Sequence, residues 1–231
     1  MEKIKLHIND GIAVMEMDDC KANAMNSVFF KEFNEAFDQV ENKAKLLIIM
    51  GRKSFFSGGL DLKYMSALQP KELNDFTETF AKTLLRVNLF PITTIAACTG
   101  HAIAGGAMLT FACDLRYIVD GQYRFNVNET KIGIVLPSWM LMLGSNAIPI
   151  TWRAESLLHA KVYTPKETFE KGITHALIQE DADIISSIVE TTKDIQNLNL
   201  LAYADSKKRL REKEVNEVLK LLKDELPCKE N

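Results

Sequence analysis

The feature that most constrains this chain is met twice: a short apolar run that empties into a glycine-bearing loop. Residues 45–50 read K-L-L-I-I-M and are bounded by Gly51, and residues 92–98 read I-T-T-I-A-A-C and lead to Gly100. The first suits a strand buried on both faces, and the second, β-branched and apolar, suits a central strand. The loops that follow are F-F-S-G-G-L-D-L-K-Y-M (residues 55–65) and G-H-A-I-A-G-G-A-M-L (residues 100–109). Each brings glycines to the place where the chain must turn, and glycine there permits positive φ and close approach of a ligand to the backbone.

The flanks fit an α/β chain. Ile4, Leu6 and Ile8 alternate with polar residues, Asn9-Asp10-Gly11 is a hairpin signal, and Ile12, Val14 and residues 15–17 continue as a second strand. Asn26 or Ser27 offers a cap for a helix carrying Phe29, Phe33, Phe37 and Val40. A second helix is predicted from Pro70 to about Val87, with Leu73, Phe76, Phe80, Leu84 and Val87 as its stripe and Pro91 as its stop. Residues 51–63 read as a loop, 100–112 as helix-competent and 115–119 as a strand. After about residue 138 the pattern is helical to the end, broken at Pro149, Pro165, Gly172 and Pro227. The 231 residues carry no repeat or linker and read as one domain with a more helical final third.

Charge and composition exclude several classes of function. With 28 Lys+Arg against 31 Asp+Glu, the net charge of −3 gives no general reason to expect nucleic acid. No apolar run approaches the roughly 20 residues of a bilayer span. The start, M-E-K-I-K-L-H, has no apolar h-region, so no secretory signal is expected and the expected location is cytoplasmic. Cys20, Cys98, Cys113 and Cys228 form no C-x-x-C pair, so idle thiols are expected rather than a metal site or a disulfide framework.

In the second loop, Gly105-Gly106 falls at the first turn of a helix running to about Ala112, where free N–H groups favour an anion. Neither loop matches G-x-G-x-x-G, G-x-x-x-x-G-K-[ST] or G-x-S-x-G. What remains is two backbone donors converging on one oxygen, an oxyanion hole.

The segment F-S-G-G-L-D-L-K ending at Lys63, then G-H-A-I-A-G-G-A, then C-D-L-R-Y from Cys113, resembles the enoyl-CoA hydratase/isomerase (crotonase) superfamily. K-A-N-A-M, residues 21–25, resembles that family's early CoA-binding turn without the proline often found before it. The resemblance runs from about residue 3 to residue 180. It implies an α/β spiral of β-β-α units over residues 1–180, and a helical region over 181–231 that packs on the core and on neighbouring subunits of a homotrimer or a dimer of trimers. It also implies an acyl-CoA thioester substrate, with CoA entering as part of the substrate and no separate cofactor; from the charge, cysteine spacing and hydropathy above, no metal, no nucleic acid and no membrane are expected. By position, the hole is formed by the N–H groups of Leu60 and Gly105. Lys21, Ala22, Ala24, Gly59, Asp61, Leu62, Lys63, Met108 and Trp139 are placed around the substrate.

Hydratases of the family use two carboxylates, and the first of these positions is Met108 here. The second matches Glu129. A single carboxylate activates water and protonates carbon poorly, but is enough for a 1,3-proton shift. The stretch N-E-T-K-I-G-I-V-L-P-S-W, residues 128–139, resembles the monofunctional mitochondrial-type Δ3,Δ2-enoyl-CoA isomerases, in which the glutamate is the base and a bulky aromatic follows the proline. That resemblance implies a Δ3,Δ2-enoyl-CoA isomerase with Glu129 as its base. Hydration, decarboxylation or thioester hydrolysis on the same hole, and a non-catalytic acyl-CoA-binding scaffold, stay open as alternatives, as does a capping or surface role for Glu129. Asp61 is expected to cap the helix that follows it, His101 to be a hydrogen-bonded structural residue and Asp114 a buried partner. Residues 207–211, K-K-R-L-R, are expected on the solvated face of a helix whose apolar side holds Leu210, Val215, Val218 and Leu222.

Overall fold

The structure, a computed structural model, describes residues 3–41 and 43–228. The extreme ends of the two regions expected above, residues 1, 2 and 229–231, lie outside it. Asp10 and Gly11, both at positive φ, turn β1 (Ile4–Asn9) back onto β2 (Ile12–Met17), and Asn26 accepts from the Phe29 N–H at 3.1 Å to start α1 (Ser27–Val40).

Three turns of a spiral follow, and each deposits one strand in each of two sheets. The first turn is β3 (Leu46–Gly51), β4 (Ser54–Ser57) and, after the short α2 (Leu62–Met65), α3 (Pro70–Leu89). The second is β5 (Thr93–Cys98), β6 (Gly100–Ile103) and α4 (Gly105–Ala112). The third is β7 (Leu115–Val119), β8 (Phe125–Asn126) and α5 (Ser138–Ala147). The larger sheet has the order β1-β2-β3-β5-β7-β9 and is parallel apart from β1, its outer member β9 being Ala176–Ile178; the smaller, also parallel, is β4-β6-β8.

The apolar runs are explained by cover on both faces of the larger sheet. Leu47, Ile49 and Ala96 face the main core with the phenylalanines of α1 and α3. Leu46, Ile48, Ile95 and Ala97 face Ile184 and Ile188 of α7 (Ile184–Thr191). Three readings of the sequence are corrected here. Residues 54–57 and 100–103 are strands of the second sheet rather than loop and helix, and residues 176–178 are a strand rather than part of a helical run.

Past α6 (Pro165–Glu170) and α8 (Lys193–Gln196), the long α9 (Leu200–Leu221) packs on α3 and α5, with Val215, Val218 and Leu222 in the main core. Its expected faces are partly reversed. Leu210 is 75 % exposed, whereas Lys207 is only 5 % exposed and pairs with Asp114 at 2.7 Å. Arg211 reaches the same carboxylate at 2.7 Å, and Tyr203 and the Thr94 N–H donate to it as well. The acid opposite these basic residues lies in the connection between α4 and β7, which helical periodicity does not reveal. No helix among the described residues is long and apolar enough to cross a membrane.

Candidate active site

The loop from β4 to α2 and the turn from β6 into α4 meet at glycines. Gly59 has φ +87°, and a Cβ on it would stand 2.8 Å from the Gly105 nitrogen and 2.9 Å from the Ile103 oxygen. A Cβ on Gly106 would lie 2.2 Å from the Ser57 oxygen. A side chain at either position would drive the loops apart. Between them, Ala104 holds φ +52° and ψ −122°, a strained conformation for alanine that costs about 1–3 kcal/mol. Its N–H donates to the Asn126 oxygen at 2.9 Å, which ties the turn to β8.

This contact leaves two amides free. Met25 N–H donates to the Gly59 oxygen and Asp61 N–H to the Met25 oxygen, both at 2.9 Å, and the Leu60 N–H between them has no acceptor among the described residues. Gly105 opens α4, so its N–H has no partner within the helix. A Cβ built on Gly105 would fall 3.5 Å from the Leu60 nitrogen, which makes the two free N–H groups neighbours. The positive end of the helix dipole adds to them.

Leu60 and Gly105 both line a cavity of about 520 Å³ whose wall also holds Leu62, Asn128, Glu129 and Trp139. Glu129 begins a single 3₁₀ turn (Thr130–Ile132) but makes no capping bond; its side chain is turned inward, and the residue is 7 % exposed. Its Oε2 and the neighbouring Asn128 Oδ1 are buried without a hydrogen-bond partner among the described residues. Burial raises the Glu129 pKa, and the N–H groups of Glu129 and Asn128 pull it partly back. Trp139 packs edge-on against Phe80, with ring centroids 5.0 Å apart. A second carboxylate, Glu225, lies in the wall, but it accepts from both the N–H and the Oγ of Ser138.

Of the residues expected at the substrate, Leu60, Leu62, Gly105, Glu129 and Trp139 share this cavity. Gly59 lies directly behind Gly105. Met108 is fully buried in the apolar core and is not among the residues that line the cavity. Asp61 caps α2 by accepting from the Tyr64 N–H at 3.0 Å. Lys21 and Lys63 are exposed, and they stand outside the wall together with Ala22, Ala24 and Asp61. Ala22 nevertheless adjoins it, since its oxygen accepts from the Gly58 N–H at 2.8 Å.

Several residues of the site carried no signal in the sequence. Asn23 is buried at positive φ and donates to the Met17, Phe55 and Phe56 oxygens, fastening the segment 21–25 to β4. Phe80 belongs to a helix stripe that reads as plain core, Thr77 stands beside that stripe, and Leu222, Glu225, Leu226 and Pro227 enter the wall from beyond α9. His101 accepts from the Arg124 N–H at 2.9 Å, away from the cavity. Cys98 and Cys113 are buried, and burial pushes both thiols up, Cys113 to about 12.

Fold and site together describe an α/β spiral that presents two free main-chain amides and one buried carboxyl group to an apolar cavity. The chain belongs to the enoyl-CoA hydratase/isomerase family, whose family model matches residues 7–226. It is 29 % identical over 175 residues to "Enoyl-CoA delta isomerase 1, mitochondrial" of Rattus norvegicus, a match covering 74 % of this chain and 61 % of that protein. The matched region thus spans about three fifths of that relative's length. It is 28 % identical over 192 residues to "Probable enoyl-CoA hydratase" of Bacillus subtilis (strain 168), covering 80 % of this chain and 72 % of the relative. Among solved structures, the apo Mtb enoyl-CoA isomerase superposes with a TM-score of 0.88 at 26 % identity, covering 97 % of both chains.

Proposed function

We propose that this chain is a Δ3,Δ2-enoyl-CoA isomerase with Glu129 as its single acid–base group. In this reading the thioester oxygen accepts from the Leu60 and Gly105 N–H groups, with C2 of the acyl chain facing Glu129. The carboxylate removes a proton from C2, and the electron pair left behind spreads over C2, C3 and C4 and onto the thioester oxygen held by the amides. The carboxylic acid so formed returns the proton at C4, leaving the double bond between C2 and C3. No atom is gained or lost.

The observation that carries this reading is the unpartnered Oε2 of a buried Glu129 in the cavity that also receives two free amides. A carboxylate in apolar surroundings is a stronger base than one in water, and a cavity walled by Trp139 and leucines disfavours a competing water. Hydration is the second reading, because the wall holds Glu225 and one relative is named a probable hydratase. Ser138 occupies both oxygens of Glu225, so water activation there requires that clasp to break. We further propose that CoA runs past residues 21–25 and that the chain assembles as a homotrimer, which analytical ultracentrifugation tests.

Product analysis decides among the chemistries. A 3-enoyl-CoA converted to the conjugated 2-enoyl thioester without a water adduct supports isomerisation. A 3-hydroxyacyl product supports hydration; free acid or carbon dioxide supports hydrolysis or decarboxylation; tight binding with no product supports a scaffold.

A further inference from the structure

Beyond α9 the chain stays with the cavity. Leu222, Leu226 and Pro227 give it an apolar stretch of wall, and two clasps hold this strap in place. In the first, the Glu225 carboxylate accepts from the N–H and Oγ of Ser138 at the N-terminus of α5, where a negative charge also meets the helix dipole. In the second, the Asn74 side chain on α3 donates to the Cys228 oxygen at 2.7 Å, and its Oδ1 accepts from the Cys228 N–H at 3.0 Å. Asn74 thereby satisfies both backbone groups of one strap residue, as a neighbouring strand would.

Helix α3 measures where the strap lies. The Phe80 ring tip is 3.1 Å from the point where a Gly105 Cβ would stand, so Phe80 abuts the free amides. Thr77 in the cavity wall and Asn74 at the clasp lie three and six residues toward the start of α3, with Asn74 turned about 120° round the helix from Phe80. At 1.5 Å per residue, the clasp is about 9 Å along the helix from Phe80. Gly58, bonded to Ala22, marks another stretch of the wall, nearer the segment 21–25.

We propose that the strap 222–228 is the end stop of the acyl pocket and sets the longest acyl chain that the site accepts. This inference rests on the acyl-CoA reading above. A chain reaching past Thr77 meets Leu226 and Pro227 and must lift them against both clasps. Each methylene that no longer fits costs about tenfold or more in kcat/KM.

The test uses the full chain and two variants, Leu226→Trp to fill the end of the pocket and Leu226→Ala to lengthen it. For each protein, kcat/KM is measured over a ladder of 3-enoyl-CoA lengths and normalised to its own shortest thioester. Binding of saturated acyl-CoAs of the same lengths is measured in parallel and needs no turnover. The tryptophan variant should move the fall-off to shorter chains and the alanine variant to longer ones, in both measurements. A fall-off that stays in place, or a uniform loss across all lengths, overturns the proposal. Glu225→Ala, which opens a clasp without touching Leu226, should blur the fall-off toward longer chains; an unmoved one counts against the strap. Shifts in binding without turnover of any 3-enoyl-CoA would leave the strap standing and remove the isomerase reading. Isomerisation with an unmoved length limit would do the reverse.

Discussion

Glu129→Gln keeps the outline of the side chain while removing its charge and its basicity, and the surroundings of the native residue give these two losses opposite consequences. The carboxyl group is buried, one of its oxygens has no partner, and burial raises its pKa above the 4.5 of an ordinary glutamate. As the base for C2, it should supply about 10²–10⁴-fold of rate, or roughly 3–5 kcal/mol of barrier at about 1.4 kcal/mol per factor of ten. For stability the sign is reversed. Because the folded pKa lies above the unfolded one, the folded chain holds more protons across that window, so stability falls as pH rises through it and stays lower above it. The glutamine carries no such charge, so the variant should be at least as resistant to urea at neutral pH as the native chain. On the proposed mechanism, kcat/KM of the native protein should climb with pH through the raised carboxyl pKa, and the variant should lose that limb. The assays are the absorbance of the conjugated thioester and urea unfolding, run on the same preparations. A variant that keeps most of the rate would remove Glu129 as the base. One that loses rate only because it unfolds at lower urea would show the residue to be structural.

Three further outcomes follow from the packing. Gly106→Ala places a Cβ against the Ser57 oxygen and should cost about 1–3 kcal/mol in urea unfolding along with most activity, since the two loops must separate. Met108→Leu should cost under about 1.5 kcal/mol, whereas Met108→Glu should unfold the chain by burying a lone carboxyl group rather than create a hydratase; a folded, water-adding variant would contradict the core placement of Met108. Asp114→Asn should destabilise by about 3–5 kcal/mol because Lys207 is left buried without its counter-charge. Burial alone would raise the Asp114 pKa, but Lys207 and Arg211 hold it below the usual range. The stability that Asp114 contributes is therefore present above the unfolded value and lost as pH falls through the folded one, and an acid titration of unfolding that is identical in Asp114→Asn would refute it.

Much of the frame was legible along the chain. The runs at 45–50 and 92–98 are strands of the larger sheet, Asp10-Gly11 turns the first hairpin, and Phe76, Phe80, Leu84 and Val87 face inward from α3. The second sheet was not legible, because strands of four, four and two residues are too short to display a period and are held by backbone pairing beside glycines. Lys207 was misplaced for a related reason. A basic residue on a helix reads as solvated unless its partner is known, and Asp114 is supplied by the bend between α4 and β7.

The sequence by itself determined which segments must be buried, where the chain must turn on glycine, and that a glutamate rather than a pair of acids stands at the position resembling the family's base. These are properties of side-chain volume, backbone freedom and residue type, which are local. Only the tertiary structure decided that the amides of Leu60 and Gly105 lie side by side, that Glu129 faces their cavity with an oxygen to spare, that Met108 packs in the core, and that Leu222, Glu225, Leu226 and Pro227 return to line the cavity. Those are distances between residues remote along the chain, and they exist only once the two sheets and α3 have packed.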